Sequence, residues 1–187
     1  MRILRAGLEL FAARGYHATS IRELATAAGM PTASLYTYFA SKEAILAELV
    51  TVAHDVHHRA LLKALLGAGT DPRDQLRQLI QAHVATHCRW SQLAAVATRD
   101  LVHLPAPSAD AALALRGSSV SLFSGIIERG LEQGVFAIAN RDITLPAISS
   151  LGIAVIDWYP AQSDKYTPEE VGATYADLAL LMAGATQ

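Results

Sequence analysis

Residues 21–43 constrain the fold more than any other segment, and they read IRELATAAGMPTASLYTYFASKE. Apolar residues at helical spacing predict a first helix over 21–28, and Ser20 with Glu23 forms an S-x-x-E capping box at its start. Gly29 ends this helix, because glycine readily adopts the positive φ of a C-terminal cap. A second short helix is predicted over 31–39. Two short helices around a glycine turn predict a helix-turn-helix motif over about 20–39, the arrangement whose second helix enters the DNA major groove.

The remaining sequence predicts helices only, because alternation of period two is absent and Ala and Leu dominate. The chain has 187 residues, of which 52% are hydrophobic and 17% charged, so it can form a substantial core and is not disordered. We therefore predict an all-α fold of about nine helices. A three-helix head over 1–46 is joined through a shared fourth helix to a helical body over 47–187.

Start and stop signals give the expected bounds of these helices. Asp71-Pro72 and Thr167-Pro168 each combine an N-cap residue with a proline at the first helical position. Gly15, Gly29 and Gly134 are expected to end helices. The predicted helices cover about 3–13, 21–28, 31–39, 42–66, 72–89, 91–102, 109–133, 145–159 and 168–183.

Composition also excludes several classes of protein. Cys88 is the only cysteine, so an intramolecular disulfide is impossible and a reducing cytoplasm is the expected compartment. No signal-peptide pattern opens the chain, and charges, His, Gly or Pro interrupt each apolar run before it reaches membrane length. The motifs of common hydrolases, zinc proteases and nucleotide-binding enzymes are missing, so we do not expect an enzyme.

Net charge says little about partners. It is −2 overall, while residues 1–50 contain five basic and four acidic residues. The resulting net charge of this segment is positive, as DNA phosphate requires, but it is only +1.

The opening resembles the TetR family of bacterial transcriptional regulators. Residues 3–46 carry the resemblance, through LFAARGY, the IRELATAAGM turn, the LYTYF recognition helix and the SKEAIL start of the next helix. The resemblance implies an all-α homodimeric repressor whose head binds double-stranded operator DNA and whose body binds a small ligand, with no cofactor and no membrane. By this resemblance the DNA-contacting residues are Ser20, Arg22, Thr32, Ala33, Ser34, Tyr36, Thr37, Tyr38 and Lys42.

Two departures from the family pattern affect DNA recognition. Pro31 stands where relatives usually have a serine cap, and residues 31–39 contain no Lys or Arg. Direct readout would then rest on hydroxyl groups and on apolar contacts with thymine methyl groups. The basic arm that many relatives carry before the first helix is also not in this sequence. The alternative is a helical ligand-binding or adaptor protein whose head contacts another protein.

The second half resembles TetR-type regulators that respond to acyl-CoA thioesters, through residues 126–136, 151–159 and 167–184. This resemblance implies a small hydrophobic effector, with a drug-like antibiotic as the alternative. The residues expected to line its site are His83, His87, Trp90, Val120, Phe123, Ser124, Ile127 and Trp158. For the aromatic residues among them, simple core packing is the competing interpretation.

A homodimer interface is expected on the last two predicted helices, over 145–159 and 168–183. Apolar and small residues recur there at three-to-four spacing, so two helices from each chain could form a four-helix interface. The expected interface residues are Ile148, Gly152, Val155, Tyr159, Val171, Tyr175, Leu178 and Met182.

Histidines recur at helical spacing in the body. His54 and His58 are four residues apart, and His83 and His87 repeat that spacing on the next helix. Such pairs can bind zinc or nickel from one helix face. No acidic ligand has an obvious place beside them, so the preferred interpretation is pocket or surface histidines and no metal site.

Overall fold

The computed structural model describes residues 2–185, which contain helices and no β-strand. The α-helices are α1 (Arg2–Arg14), α2 (Ile21–Ala27), α3 (Thr32–Tyr36), α4 (Lys42–Gly67), α5 (Pro72–Arg89), α6 (Ser91–Asp100), α7 (Ala106–Glu132), α8 (Arg141–Leu151), α9 (Val155–Trp158) and α10 (Pro168–Met182). Two short 3-10 helices, Leu101–His103 and Tyr159–Gln162, follow α6 and α9. The predicted all-α fold is confirmed.

Local sequence signals account for where several helices begin. The Ser20–Glu23 capping box closes the start of α2, and Thr167 with Glu170 does the same for α10. Asp71 caps α5 by accepting a hydrogen bond from the Arg73 amide. These signals work because both partners lie within four residues of each other in the chain.

Three predicted helices differ from the observed ones. The recognition helix α3 spans 32–36 rather than 31–39, because Pro31 serves as its N-cap without a side-chain hydrogen bond. The helix predicted over 145–159 begins earlier, at Arg141, because Asn140 caps it, and it is divided into α8 and α9 by a turn at 152–154. This division raises the number of α-helices within residues 2–185 to ten. The helix predicted over 109–133 begins at Ala106, three residues earlier than expected.

The contacts divide the chain into two compact units. The first comprises residues 1–55 and 92–115, and the second comprises 56–91 and 116–187. Helix α4 contributes residues to both units, as does α7. The first unit therefore contains α6 and the start of α7 in addition to the three-helix head expected from the sequence.

Each unit has its own hydrophobic core. In the first unit Phe11, Leu24 and Leu35 are fully buried, together with residues of α4 and α6. In the same unit, Arg99 donates hydrogen bonds to the backbone oxygen of Phe11 and to the carboxylate of Asp100. The Asp100 carboxylate is buried, so this ion pair compensates its charge. Complete burial of large apolar side chains supplies the main driving force for folding.

The core of the second unit is built around α5, α7 and α10. Leu76, Leu79 and Ile80 from α5 are buried against a cluster that includes Phe123 and Ile127 of α7. Gly172 of α10 lies close enough to α5 that an added Cβ would stand 3.0 Å from the Gln81 backbone oxygen. This close approach explains a small residue at position 172.

One stretch meets a membrane-span criterion by length and composition alone. Residues Arg141–Gln162 have a mean hydropathy of 1.2 over an 18-residue window. The interrupted apolar runs of the sequence predict no stretch of this length, so Arg141–Gln162 departs from that expectation. Only 22% of that window is buried, and the stretch is divided between α8, a turn, α9 and a 3-10 helix. One such stretch is weak evidence for a membrane span.

Candidate DNA-binding and effector sites

The recognition helix α3 is anchored by one side chain and exposes most of the others. Leu35 is completely buried, whereas Tyr36 and Tyr38 are 50% and 70% exposed. Ala33 and Thr37 are also exposed, while Thr32, Ser34 and Phe39 are half-buried. A buried leucine on one side therefore holds a surface of hydroxyl, phenol and methyl groups on the other.

The residues expected to contact DNA from α2 have different local roles. The Ser20 hydroxyl accepts from the Glu23 amide and donates to the Glu23 carboxylate, so it caps α2. These capping bonds lower the pKa of the Glu23 carboxyl group. Arg22 is exposed on the same helix. Ser20 thus has a structural role independent of DNA, and Arg22 remains available for a phosphate.

Lys42 makes contacts that the sequence did not reveal. Its ammonium group donates to the backbone oxygens of Tyr16 at 2.9 Å and Thr19 at 2.8 Å. The same nitrogen lies 4.1 Å from the centre of the Tyr16 ring, a cation–π distance. Two of the three N–H donors therefore hold the turn between α1 and α2, which leaves one for a DNA phosphate.

Tyr16 and Glu43 complete this cluster, and sequence reasoning did not single them out. The Tyr16 hydroxyl donates to the Glu43 carboxylate at 2.6 Å. Burial and the neighbouring Glu43 raise the pKa of Tyr16, and the hydrogen bond from Tyr16 lowers the pKa of Glu43. Glu43 lies 27 residues after Tyr16, so no local pattern could predict their hydrogen bond. The sequence indicated only that a tyrosine follows the helix-ending Gly15.

Three histidines of the second unit lie together. His57 from α4 and His83 and His87 from α5 have ring centroids 4.6–4.9 Å apart. One ligand nitrogen from each lies within 4.8 Å of the other two. Sequence spacing paired the rings of His54 and His58, but Nδ1 of His58 instead lies 3.1 Å from the Ser119 hydroxyl. Sequence spacing identified the α5 pair and missed its partner on α4.

Backbone carbonyl groups fix the orientation of two of these rings. Nε2 of His83 lies 3.0 Å from the Ser149 oxygen, and Nδ1 of His87 lies 2.8 Å from the His83 oxygen. Nε2 of His57 lies 2.7 Å from Nδ1 of His83. Burial lowers the pKa of His83 well below its usual value, and burial also lowers that of His87. Both rings are therefore neutral near pH 7.

The other expected effector residues divide into two groups. Phe123 and Ile127 are buried, and the Phe123 ring lies 5.4 Å from the His83 ring. Trp158 packs against the same core. These side chains, together with His83 and His87, form an apolar region that contains a few polar groups.

Three expected effector residues lie elsewhere. Trp90 is 53% exposed and Val120 is 40% exposed, so neither lines an enclosed apolar site in this structure. The Ser124 hydroxyl accepts from Arg141 at 2.8 Å within a surface network that includes Glu128. The helical period placed Val120 and Ser124 near Phe123 without indicating which side of α7 points inward.

The expected dimer interface needs a larger correction. Five of its eight residues are buried inside the single chain and offer no surface to a partner. These residues are Ile148, Gly152, Val155, Tyr159 and Val171. The Tyr159 hydroxyl is occupied by a hydrogen bond to the Tyr166 oxygen. Of the remaining three, Tyr175 is half-buried, while Leu178 and Met182 are exposed.

Comparison with known proteins identifies the family. The sequence model described as "Bacterial regulatory proteins, tetR family" matches residues 3–49, which contain α1, α2 and α3. The model described as "Tetracyclin repressor-like, C-terminal domain" matches residues 69–183, more than half of the chain. The chain belongs to the TetR family.

Individual TetR proteins resemble it over different lengths. A tetR-family regulatory protein from Rhodococcus RHA1 is 31% identical, with a TM-score of 0.91 over 100% of this chain and 97% of that one. The repressor KstR2 of Rhodococcus jostii is 25% identical over 95% of this chain and 87% of its own. An uncharacterised regulator of Bacillus subtilis, YdgC, is 36% identical, but the match spans only 43% of this chain and 42% of that protein.

A TetR structure that includes ligands shares the fold. AibR in complex with isovaleryl coenzyme A and operator DNA has a TM-score of 0.84 and is 19% identical over 98% of this chain and 97% of its own. Membership of the family makes this protein a DNA-binding transcriptional regulator with a helix-turn-helix head. The family is one of regulators rather than of enzymes.

Proposed function

We propose that this protein is a homodimeric cytoplasmic repressor. It binds a two-fold-symmetric operator through α3 and leaves it when a small hydrophobic effector binds the second unit. The observation that carries the proposal is the surface of α3 and of the turn that follows it, where Tyr36 and Tyr38 are exposed and Leu35 is buried. Tyrosines that only filled a core would be buried, whereas these present their hydroxyl groups to solvent.

The chemistry of α3 determines how it would read DNA. Tyr36, Thr37 and Tyr38 supply hydroxyl groups, which bind phosphate oxygens or base edges as donors. Ala33 and the Thr32 methyl group suit a thymine methyl. Arg22 and the third N–H of Lys42 would neutralise phosphates beside the groove. A two-fold-symmetric dimer would place its half-sites about 34–36 Å apart, or at a multiple of that spacing.

DNA binding is tested with a duplex from the protein's own promoter region, by fluorescence anisotropy across a salt series. We expect Tyr38→Phe to remove one hydrogen bond per half-site, about 1 kcal/mol each, so that two half-sites lose roughly thirtyfold in affinity. No charge is removed, so the salt slope should stay unchanged. Tyr166→Phe is the matched control, because Tyr166 is 40% exposed in the second unit.

Base preference gives a second readout of the same surface. Alanine at Thr32, Ser34 or Thr37 should relax preference among operator variants more than it lowers affinity for random DNA. If wild-type protein binds DNA without a steep salt dependence, and these variants change nothing, the head contacts another protein instead.

The dimer we propose uses the outward faces of α8 and α10. Leu178, Leu181 and Met182 are exposed on α10, and Ile143 is exposed at the start of α8. Exposed large apolar residues on neighbouring turns are typical of an interface. Sedimentation at micromolar concentration should give a dimer for the wild type and a monomer for Leu181→Glu. A monomeric wild type would reject the dimer.

The effector we propose is an acyl-CoA thioester, with a hydrophobic drug as the alternative. His83 and His87 lie beside Phe123 and Ile127, so polar groups that could orient a carbonyl adjoin an apolar region. AibR, which shares the fold, binds isovaleryl coenzyme A together with operator DNA. This likeness guides the choice of compounds for the assay.

A thermal-shift screen of acyl-CoAs and hydrophobic drugs tests the effector. A compound that stabilises the protein should also release it from DNA, because induction requires different affinities for the bound and released states. Phe123→Leu should weaken the effector without changing DNA affinity in its absence. Compounds that stabilise the protein but leave DNA binding intact would reject induction and spare the DNA-binding assignment.

A further inference from the structure

His57, His83 and His87 form a cluster of three imidazole rings, although only His57 and His83 are joined by a hydrogen bond between their rings. Two helices bring the three imidazole rings together, with His83 buried and the other two half-buried. Among residues 2–185 this is the group of His, Cys, Asp or Glu ligand atoms whose members all lie within 4.8 Å of one another.

The backbone determines where the lone pairs of two rings point. A carbonyl oxygen only accepts hydrogen bonds, so Nε2 of His83 and Nδ1 of His87 must carry hydrogen to bond the Ser149 and His83 oxygens. In each neutral ring the other nitrogen then carries a lone pair. Histidines that bind metal ions use the same arrangement, because a carbonyl or carboxylate behind the ring fixes its tautomer and direction.

A glycine makes room for the central ring. A Cβ atom at position 152 would stand 2.0 Å from Cδ2 and 2.4 Å from Nε2 of His83. Gly152 has an ordinary helical φ of −70°, so its backbone does not require glycine. The small residue is needed because His83 occupies the space that a side chain would fill.

We propose that His57, His83 and His87 bind one Zn²⁺ ion. Tetrahedral Zn²⁺ with bonds of about 2.0–2.1 Å to nitrogen holds its ligands about 3.3 Å apart. The nitrogens of His57 and His83 are 2.7 Å apart and must separate slightly, while the widest separation in the group, at most 4.8 Å, must shrink.

Metal binding replaces the hydrogen bond between His57 and His83. Nε2 of His57 now donates its hydrogen to Nδ1 of His83. His57 binds the ion through Nε2 only after this hydrogen has left that nitrogen by exchange with solvent. Three imidazole ligands leave the fourth tetrahedral position for a water molecule.

The ligand set also selects the type of ion. Mg²⁺ and Ca²⁺ prefer oxygen ligands, whereas neutral imidazole suits Zn²⁺ and its first-row neighbours. His57 and His87 are half-buried, whereas His83 is buried. The inference does not rest on the proposed repressor function, although His83 and His87 also belong to the proposed effector site.

The test is a titration of tag-free, chelator-treated full-length protein with Co²⁺ and then Zn²⁺. Tetrahedral Co²⁺ absorbs strongly in the visible range, and Zn²⁺ should displace it at one ion per chain. A second histidine pair, His17 and His103 with ring nitrogens 3.1 Å apart, could bind metal on the first unit. His17→Ala is therefore the background for every variant.

Variants at the cluster separate a metal site from a hydrogen-bonded network. His57→Ala and His87→Ala should each lose Co²⁺ affinity by more than about a hundredfold, beyond the 10–100-fold typical of residues that only support a ligand. Gly152→Ala, which must displace His83, should fall within that 10–100-fold range. His58→Ala is the matched control, because His58 is adjacent in the chain and contacts Ser119 instead.

Three results would overturn the proposal. The first is the lack of a tetrahedral Co²⁺ spectrum in the His17→Ala background. The second is stoichiometric binding that survives His57→Ala and His87→Ala. The third is a loss of Co²⁺ affinity in His58→Ala as large as the loss in His57→Ala and His87→Ala. Far-UV circular dichroism of each variant shows whether it is folded, and the half-buried His57 and His87 are the positions where folding should tolerate alanine.

Discussion

Lys42 offers the sharpest test of the structure, because the sequence predicts a role in DNA binding whereas the structure gives it a role in stability. The sequence resemblance places it at a DNA phosphate. The structure uses its ammonium group to bind the backbone oxygens of Tyr16 and Thr19 and to cover the Tyr16 ring. Lys42→Met keeps the apolar stem and removes the charge and the donors. We expect this variant to destabilise the first unit even without DNA.

The contacts give the size of the effect. Hydrogen bonds from a charged donor contribute about 1.5–3 kcal/mol each, and a half-buried lysine calls for the low end of that range. Two such bonds and a cation–π contact of about 0.5–1 kcal/mol, partly offset by retained packing, give about 3 kcal/mol. In a chain of this length that loss lowers the thermal midpoint by roughly 6–12 °C.

Thermal unfolding measured by circular dichroism checks the stability, with Lys63→Met as the control. Lys63 is an exposed lysine on the same helix, so its variant should shift the midpoint little. A Lys42→Met midpoint equal to that of Lys63→Met would refute the structural role. If the midpoint is unchanged and the DNA salt slope falls by about 0.9 per lost contact, Lys42 acts at phosphate alone.

Two further predictions concern a close packing contact and a titrating pair. Gly152→Ala should destabilise the protein by about 1–3 kcal/mol, because the new Cβ overlaps His83. Gly117→Ala should stabilise it by about 0.5–1 kcal/mol, because no atom lies within 4 Å of the new Cβ and alanine favours the helix. Denaturant unfolding measures both free energies. For Glu43, the hydrogen bond from Tyr16 lowers the folded pKa, so this contribution to stability is present above the usual value of 4.5 and is lost as pH falls through the folded pKa. In Tyr16→Phe, the Glu43 pKa measured by NMR should rise towards 4.5; an unchanged value would contradict this assignment of its cause.

The sequence determined features whose interacting groups are close together in the chain. The capping box at Ser20 and the N-cap at Thr167 were predicted, since each depends on residues within three positions of one another. The same holds for the glycine turn at Gly29, whose φ is +67°. These local signals, with the TetR resemblance of residues 3–46, were sufficient for the fold class and the helix-turn-helix head.

Tertiary structure decided which side of each helix points inward. The helical period correctly places Ile148, Val155 and Tyr159 near one another, but that side is the core of the monomer rather than a dimer interface. In a chain with 52% hydrophobic residues, several helices have apolar residues on more than one side. Periodicity then identifies residues that share a side without indicating what that side contacts.

Contacts between distant residues were also beyond the sequence. Lys42 binds a carbonyl 26 residues earlier in the chain, and His57 meets a ring 26 residues later. His54, His57 and His58 were equally available on α4, and only the packing of α4 against α5 selected His57. Local hydrogen bonds are encoded by neighbours along the chain, whereas these pairs form only after whole helices have packed.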